Sequence, residues 1–409
     1  MKYVLVIGDG MADNPVPELG DKTPLQYANI PCMDWLAAHG EVGNIKTCPD
    51  ALPPGSDTGI LSIMGADPLK TYSGRSPLEA AATGIKLEAD EVSYRCNMIA
   101  LEDADLPYPE KKILSHSGGS IEGDQSMELV TYLFADPTFK AAADKIGMRV
   151  YPAPSFRHIA VQKNGDLKNI SLKAPHDFLG KPIGPILPSG NANAEDLNNL
   201  MEIAHGVLNH HPINEARRKA GKLPANGVWF WAEGSAVILE SFQKKYGKTG
   251  CMISAVPLCQ GISNLAGVDV RMVEGATGEL DTNYEGKAAA ALEELKSHDL
   301  VVVHLEAPDE CTHNGDTKGK LQSIEWLDSR IIQPIVDGLK DTEFRILVMP
   351  DHKTLTSTRG HDGEPIPYVL YDSRKDTGLN LPYNEESGAK GPAYAHGADT
   401  IMPLLFEQL

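Results

Sequence analysis

FRILVMPDHKTLTSTRGHDGEPIPYVLY (residues 344–371) begins as an apolar run, Phe344–Met349, and stops abruptly at Asp351-His352. A Thr/Ser-rich stretch follows, then His361, then a second apolar run ending at Tyr371. Short β-branched runs of this kind read as strands buried on both faces. Ligands of a parallel α/β sheet gather beyond the carboxyl ends of its strands. Asp351 and His352 therefore stand where such a sheet presents its chemistry, with His361 a short loop away.

Similar runs occur at Tyr3–Ile7, Val228–Trp231, Leu300–Leu305 and Tyr368–Tyr371. Helical patterns lie between them, such as EGKAAAALEELKSHD (285–299) and IEWLDSRIIQPIVDGLKD (324–341). Alternating strands and helices predict an α/β fold: a mostly parallel sheet with helices on both faces. The middle of the chain is richer in Pro, Gly and Asn, with shorter and more polar runs. A chain of 409 residues is long enough for two domains. The expected division is an α/β domain of residues 1–90 and 236–409, interrupted by a smaller α+β domain of residues 91–235.

The formal charge of −19 argues against a broad nucleic-acid surface, which needs clustered Lys and Arg. No apolar stretch is long enough to span a membrane. MKYVLVIGDGMAD meets Asp9 after one short apolar run and reads as a first strand rather than a signal peptide. Six scattered cysteines form no CxxC and are expected as reduced thiols in a cytoplasmic protein.

Three strand ends carry acidic and histidine side chains. Asp9 ends the first strand, Asp309 and His313 follow Leu300–Leu305, and Asp351, His352 and His361 belong to the stretch quoted above. Carboxylates with imidazoles form a ligand set for Mn²⁺, Zn²⁺ and related ions. Six such residues exceed what one ion takes, and paired ions suit phosphoryl transfer. In PPGSDTGILSIMGADP (53–68), Ser56 precedes an apolar-periodic run, at or near a helix N-terminus. As an N-cap it would be structural; beside a cation and a phosphate it could be a nucleophile, because a serine hydroxyl needs an activator. The chain has no phosphate-binding G-x4-G-K-[ST], no complete dinucleotide fingerprint and no HExxH.

VLVIGDGMAD (4–13), PGSDTGILSIMGADP (54–68), EGATGELDTNY (274–284), APDECTHNGD (307–316) and PDHKTLTSTRGHDGEPIPYVL (350–370) together resemble the cofactor-independent phosphoglycerate mutases of the archaeal type, within the alkaline phosphatase superfamily. The resemblance spans nearly the whole chain. It implies an alkaline phosphatase-like sheet and two divalent ions, usually Mn²⁺, with Mg²⁺, Zn²⁺ or Co²⁺ in some members. Asp309, His313 and His361 would hold one ion, and Asp9, Ser56, Asp351 and His352 the other. Ser56 would take the phosphoryl group from 3-phosphoglycerate and return it to the 2-hydroxyl of the retained glycerate, a glycolytic isomerisation of a small phosphorylated hydroxy acid. Arg95, Asn97, His116, Arg157 and His158 would bind the substrate on the inserted domain.

Two positions depart from the family pattern. Gln260 stands where a lysine is common, and Glu233 where a neutral residue is common. Both bear on Ser56's substrate rather than on its chemistry. A homoserine kinase-like phosphotransferase is therefore the alternative, with a phosphatase or phosphonate hydrolase behind it. A metal-binding protein without catalysis would require the surroundings of Ser56 to be purely structural.

Overall fold

The structure, a computed structural model, describes residues 1–409. It divides into two compact units: Met1–Tyr72 with Ala82–Gly84 and Ile238–Leu409, and Ser73–Ala81 with Ile85–Val237. In chain order the strands are β1 (Lys2–Gly8), β2 (Glu41–Ile45), β3 (Glu91–Leu101), β4 (Ile113–Ser115), β5 (Met148–Tyr151), β6 (Arg157–Lys163), β7 (Gly227–Ser235), β8 (Gly250–Ile253), β9 (Asp269–Arg271), β10 (Leu300–Leu305), β11 (Phe344–Met349), β12 (Lys353–Leu355), β13 (Gly360–Asp362), β14 (Ile366–Asp372) and β15 (Ala393–Tyr394). No helix is long and apolar enough to cross a membrane.

The first unit is built on an eight-stranded sheet of order β15-β2-β14-β11-β1-β10-β8-β9. Neighbours are parallel except at β14, which runs antiparallel to β11 and β2. β1 is central and its side chains split between two apolar layers, as the two-residue period of a strand requires. Val4 and Val6 pack with Met33, Leu36 and Ile331 on one face. On the other, the Tyr3 ring meets Phe406 edge-on with centroids 4.9 Å apart. β1 pairs with β10 from Tyr3↔Leu300 to Gly8↔Leu305, and with β11 from Lys2↔Phe344 to Ile7↔Met349. That register brings three strand ends level. The residues that follow, Asp9, Glu306–Asp309 and Asp351-His352, therefore emerge side by side.

The Thr/Ser-rich stretch after Asp351-His352 is a two-stranded ribbon rather than a loop: β12 and β13 pair antiparallel, with Thr354 opposite His361. The ribbon is what returns His361 toward Asp351. A buried network fastens it to the unit. Thr354 N donates to Ala12 O at 3.1 Å, and Thr356 N and Oγ1 donate to Asp13 Oδ2 at 3.0 and 2.6 Å. Lys320 Nζ donates to Thr354 O at 2.6 Å and to Asp13 Oδ2 at 2.9 Å. Gly10 has φ 60°, and a Cβ there would meet Thr354 Oγ1 at 2.3 Å. The two glycines of GDG thus include one that serves close approach to the ribbon rather than a nucleotide.

The second unit is an antiparallel sheet of order β4-β3-β6-β5 with β7 on the other side of β3. It begins earlier than residue 91, because Glu79 is tied to β3: Arg95 Nε donates to Glu79 Oε2 at 2.9 Å, and Arg95 Nη2 to Glu79 Oε1. Tyr94, Cys96 and Met98 of β3 turn into an apolar core with Leu197, Met201 and Phe139. The alternate residues Arg95 and Asn97 occupy the opposite face by the same period. β7 carries a bulge opposite Tyr94, where Ala232 takes φ 52° and Glu233 follows.

The Lys320–Asp13 pair lies in the interior, with side chains 0% and 2% exposed. Lys320→Met should lower unfolding stability by about 3–5 kcal/mol, because it strands a buried carboxylate. Lys320→Met with Asp13→Asn should recover much of the loss. Thermal denaturation of these two variants and of Asp13→Asn alone checks this, and strictly additive losses would show that the pair is not coupled.

Candidate metal centre

Asp309, His313 and His361 converge in the first unit. His313 Nε2 lies 3.1 Å from Asp309 Oδ2, and His361 Nε2 lies 3.4 Å from Asp309 Oδ1. The two Nε2 atoms are 2.9 Å apart. Each ring is aimed by its other nitrogen, His313 Nδ1 at Arg359 O (2.8 Å) and His361 Nδ1 at Pro54 O (3.2 Å). A carbonyl only accepts, so Nδ1 carries a proton, and in the neutral imidazole Nε2 offers its lone pair.

Asp9, Asp351 and His352 form a second group, fully buried. His352 Nε2 is 3.5 Å from Asp9 Oδ1 and 3.3 Å from Asp351 Oδ2. Asp351 Oδ1 is held by the backbone N–H of Gly10 at 3.2 Å and of His352 at 2.9 Å. Ser56 completes this group: its Oγ is 3.2 Å from Asp9 Oδ2 and 3.2 Å from His352 Nε2. Ser56 is the first residue of the helix Ser56–Ile63, and Gly55 takes the cap position without a side-chain cap. The N-cap reading of Ser56 is thereby corrected, since its hydroxyl faces the carboxylates. The rings of His352 and His361 are 4.2 Å apart, so the two groups adjoin.

Sequence reading missed His304 and Glu306. His304 sits inside β10 with Nε2 at 2.9 Å from Asp9 Oδ2 and Nδ1 at 3.1 Å from Ser254 Oγ. Glu306 Oε2 lies 3.7 Å from His304 Nε2. In LVVVHLEAPDE the histidine interrupts an apolar run, which was the available signal. Lys287, also missed, is buried and donates to His304 O at 2.8 Å; burial lowers its ammonium to about 8.

The donor chemistry fits divalent cations. Asp9 Oδ1, Asp351 Oδ2 and Glu306 Oε2 are buried oxygens without a hydrogen-bond partner, and a buried carboxylate needs a counter-charge. Burial, then the charge of Asp351, raises the Asp9 carboxyl well above its usual range. Burial also raises Glu306. Burial likewise opposes ionisation of Asp309, but hydrogen bonds from His313 and His361 outweigh it and hold that carboxyl far below its usual range. In turn the hydrogen bond to Asp309 raises His313 to about 9.

The residues expected to bind substrate fall into two kinds. Neighbours on β6, Arg157 and His158 point to opposite faces. His158 is 0% exposed, its Nδ1 accepting from Ala153 N at 3.0 Å and its Nε2 lying 3.2 Å from Ser126 Oγ. Burial lowers it to about 4; it is a neutral interior group, which corrects its expected placement at a substrate. Asn97 is also fully engaged, accepting from Trp231 Nε1 at 3.0 Å and donating to His116 O at 2.9 Å. Arg157 instead stacks near Phe156 and Trp231 (5.4 and 5.9 Å to the ring centroids), with its Nε unpartnered. His116 and His176 are neighbours on this face (ring centroids 5.9 Å apart), and His176 meets Trp231 at 5.3 Å. His176 and Trp231 were not foreseen. In the first unit Gln260 is tethered, its Nε2 donating to Ser254 O at 3.0 Å. Glu233 is partly buried, and burial raises its carboxyl.

A proton on His313 competes with a cation for the same lone pair. His313 titrates near 9, so below that pH a cation must expel a proton, and affinity should fall by about tenfold per unit as pH drops from 9 toward the ordinary histidine range. Calorimetry in two buffers of different ionisation enthalpy measures the protons released. An uptake independent of buffer would remove His313 from the donor set.

The chain matches the family model described as the Metalloenzyme superfamily over residues 1–406. It is 44% identical over 408 residues to a 2,3-bisphosphoglycerate-independent phosphoglycerate mutase of Methanosarcina barkeri, covering 99% of each chain. Among solved structures it resembles a protein of Pyrococcus horikoshii (TM-score 0.79, 30% identity, 100% of this chain and 98% of that one). It also resembles the cofactor-independent phosphoglycerate mutase of Thermoplasma acidophilum (TM-score 0.68, 27% identity, 100% and 99% of the chains). Membership of the superfamily brings with it the use of divalent metal ions. The chain belongs to the metalloenzyme superfamily and, within it, to the 2,3-bisphosphoglycerate-independent phosphoglycerate mutases.

Proposed function

We propose that this protein interconverts 3-phosphoglycerate and 2-phosphoglycerate in the cytoplasm, without 2,3-bisphosphoglycerate, through a phosphoserine at Ser56. The observation that carries the reading is the place of Ser56 Oγ, 3.2 Å from both Asp9 Oδ2 and His352 Nε2. Asp9 Oδ2 lies within reach of the proton that the hydroxyl gives up as it attacks phosphorus. The bond from phosphorus to the 3-oxygen breaks, the retained glycerate presents its 2-hydroxyl, and the reverse sequence frees Ser56.

Asp309, His313 and His361 would hold one ion and Asp9, Ser56, Asp351 and His352 a second. Mn²⁺ suits both sets, because it accepts carboxylate and imidazole alike; Mg²⁺, Zn²⁺ and Co²⁺ are the competitors. A bound divalent ion supplies Lewis acidity, easing ionisation of a hydroxyl and stabilising charge on phosphoryl oxygens. On the second unit, Arg157 is the candidate for taking an acid oxygen of the substrate. Arg95 is committed to Glu79, whereas the partly buried Arg157 guanidinium has an unpartnered Nε and aromatic neighbours. His116 and His176 line the same face. Nothing in the geometry favours the homoserine kinase-like alternative. The buried Lys287 leaves the first unit with a cation near Glu306, while Gln260 is tethered to Ser254 O.

The experiment is ³¹P NMR of Mn²⁺-loaded protein with 3-phosphoglycerate, and separately with ATP and homoserine. Appearance of 2-phosphoglycerate without free phosphate is expected, and Ser56→Ala should reduce turnover to background while keeping its thermal midpoint. An active Ser56→Ala variant would falsify the phosphoserine route, and a new phosphomonoester only with ATP and homoserine would replace the mutase reading. Arg157→Ala should lower kcat/KM by about 10–100-fold, the worth of one hydrogen bond to a charged group. His158→Gln should instead show its effect in stability.

A further inference from the structure

Thr354 touches both groups of metal-ligating side chains with one hydroxyl. Its Oγ1 donates to Asp309 Oδ1 at 2.5 Å and lies 3.2 Å from His352 Nδ1. Asp309 belongs to one group and His352 to the other. A hydroxyl donates once and accepts elsewhere. Its donor is spent on Asp309, so toward His352 it accepts; Nδ1 carries the proton and shares it between Thr354 Oγ1 and Lys353 O, 3.2 Å from each. That tautomer leaves His352 Nε2 with its lone pair turned to Ser56 and Asp9.

The hydroxyl cannot easily adapt to one group at the expense of the other. Thr354 is 0% exposed, its N–H bonds Ala12 O, and its carbonyl holds the Lys320 ammonium. Gly10 packs closely against it: a Cβ at that position would meet the hydroxyl at 2.3 Å. We infer that Thr354 is a positioning residue that couples the two cation sites, so that filling one sets the geometry of the other. The inference rests on the paired-ion reading of Asp309/His313/His361 and Asp9/Ser56/Asp351/His352. Partners that orient metal ligands are worth roughly 10–100-fold in metal affinity, and coupling between two sites is reciprocal.

The test is Mn²⁺ titration of the full chain by calorimetry, with free Mn²⁺ counted by electron paramagnetic resonance. The variants are Thr354→Val, which keeps shape and removes the hydroxyl, and Thr354→Ser, which restores it. Wild type should take up two ions. Thr354→Val should weaken both by roughly tenfold or more, and Thr354→Ser should return most of the loss. A second set isolates one site: His313→Ala with His361→Ala leaves the Asp9 group, and adding Thr354→Val should still weaken the remaining ion. Loss at the Asp309 group alone, or no loss at either, would overturn the coupling while leaving two ions in place. A single ion in wild type would overturn the paired-ion reading itself, and the coupling with it. Should Thr354→Val fail to fold, Thr354→Ser against Thr354→Cys carries the comparison, with weaker binding expected only in the cysteine variant because a thiol is a poor donor.

Discussion

Asp9, Asp351, Glu306 and Asp309 are brought together at the level ends of three parallel strands, within a space where hydrogen-bond donors do not suffice for their oxygens. Buried carboxylates this close repel one another and resist ionisation, as the raised Asp9 and Glu306 carboxyls register. Positive charge must come from somewhere. Protonated histidine provides part of it at Asp309, and Lys287 part of it beneath Glu306. Divalent ions, which the superfamily employs, answer the same need at higher charge density.

The rest of the first unit serves to keep that concentration of charge in place. β1 pairs in register with β10 and β11, so three strand ends cannot slide apart without exposing apolar faces on both sides of the sheet. The ribbon β12–β13 brings His361 back, and Lys320 with Asp13 locks the ribbon from inside. Backbone carbonyls aim His313 and His361 through Nδ1. Each device fixes direction more than position, and direction matters because a lone pair binds a cation only along its own axis.

On the second unit the period-two alternation of β3 and β6 sorts side chains onto two faces. Tyr94, Cys96 and His158 turn into the core, and Arg95 and Arg157 turn out onto an aromatic, basic face with Trp231. Of two arginines on that face one is spent on Glu79. The other, Arg157, keeps an Nε without a hydrogen-bond partner.

The strands, their mostly parallel order and the acidic and histidine residues at their ends were legible in the sequence. Uninterrupted β-branched runs can bury only as central strands, and polar residues immediately after them have nowhere to go but the sheet's end. Ser56 was legible as a helix start and as a candidate nucleophile; its hydroxyl's turn toward Asp9 depends on how the helix Ser56–Ile63 packs, which no local pattern states. His304 was hidden because a histidine in an apolar run looks like a core residue until the neighbouring strand places Asp9 against it. Arg157 and His158 looked equivalent, since adjacency in sequence says nothing of which face of a sheet is covered. The sequence by itself determined which side chains stand at strand ends, because local periodicity sets element type and boundaries. Only the tertiary structure decided which of them share a cation-sized space, which nitrogen faces it and which arginine stays free, because those depend on register and packing between segments hundreds of residues apart.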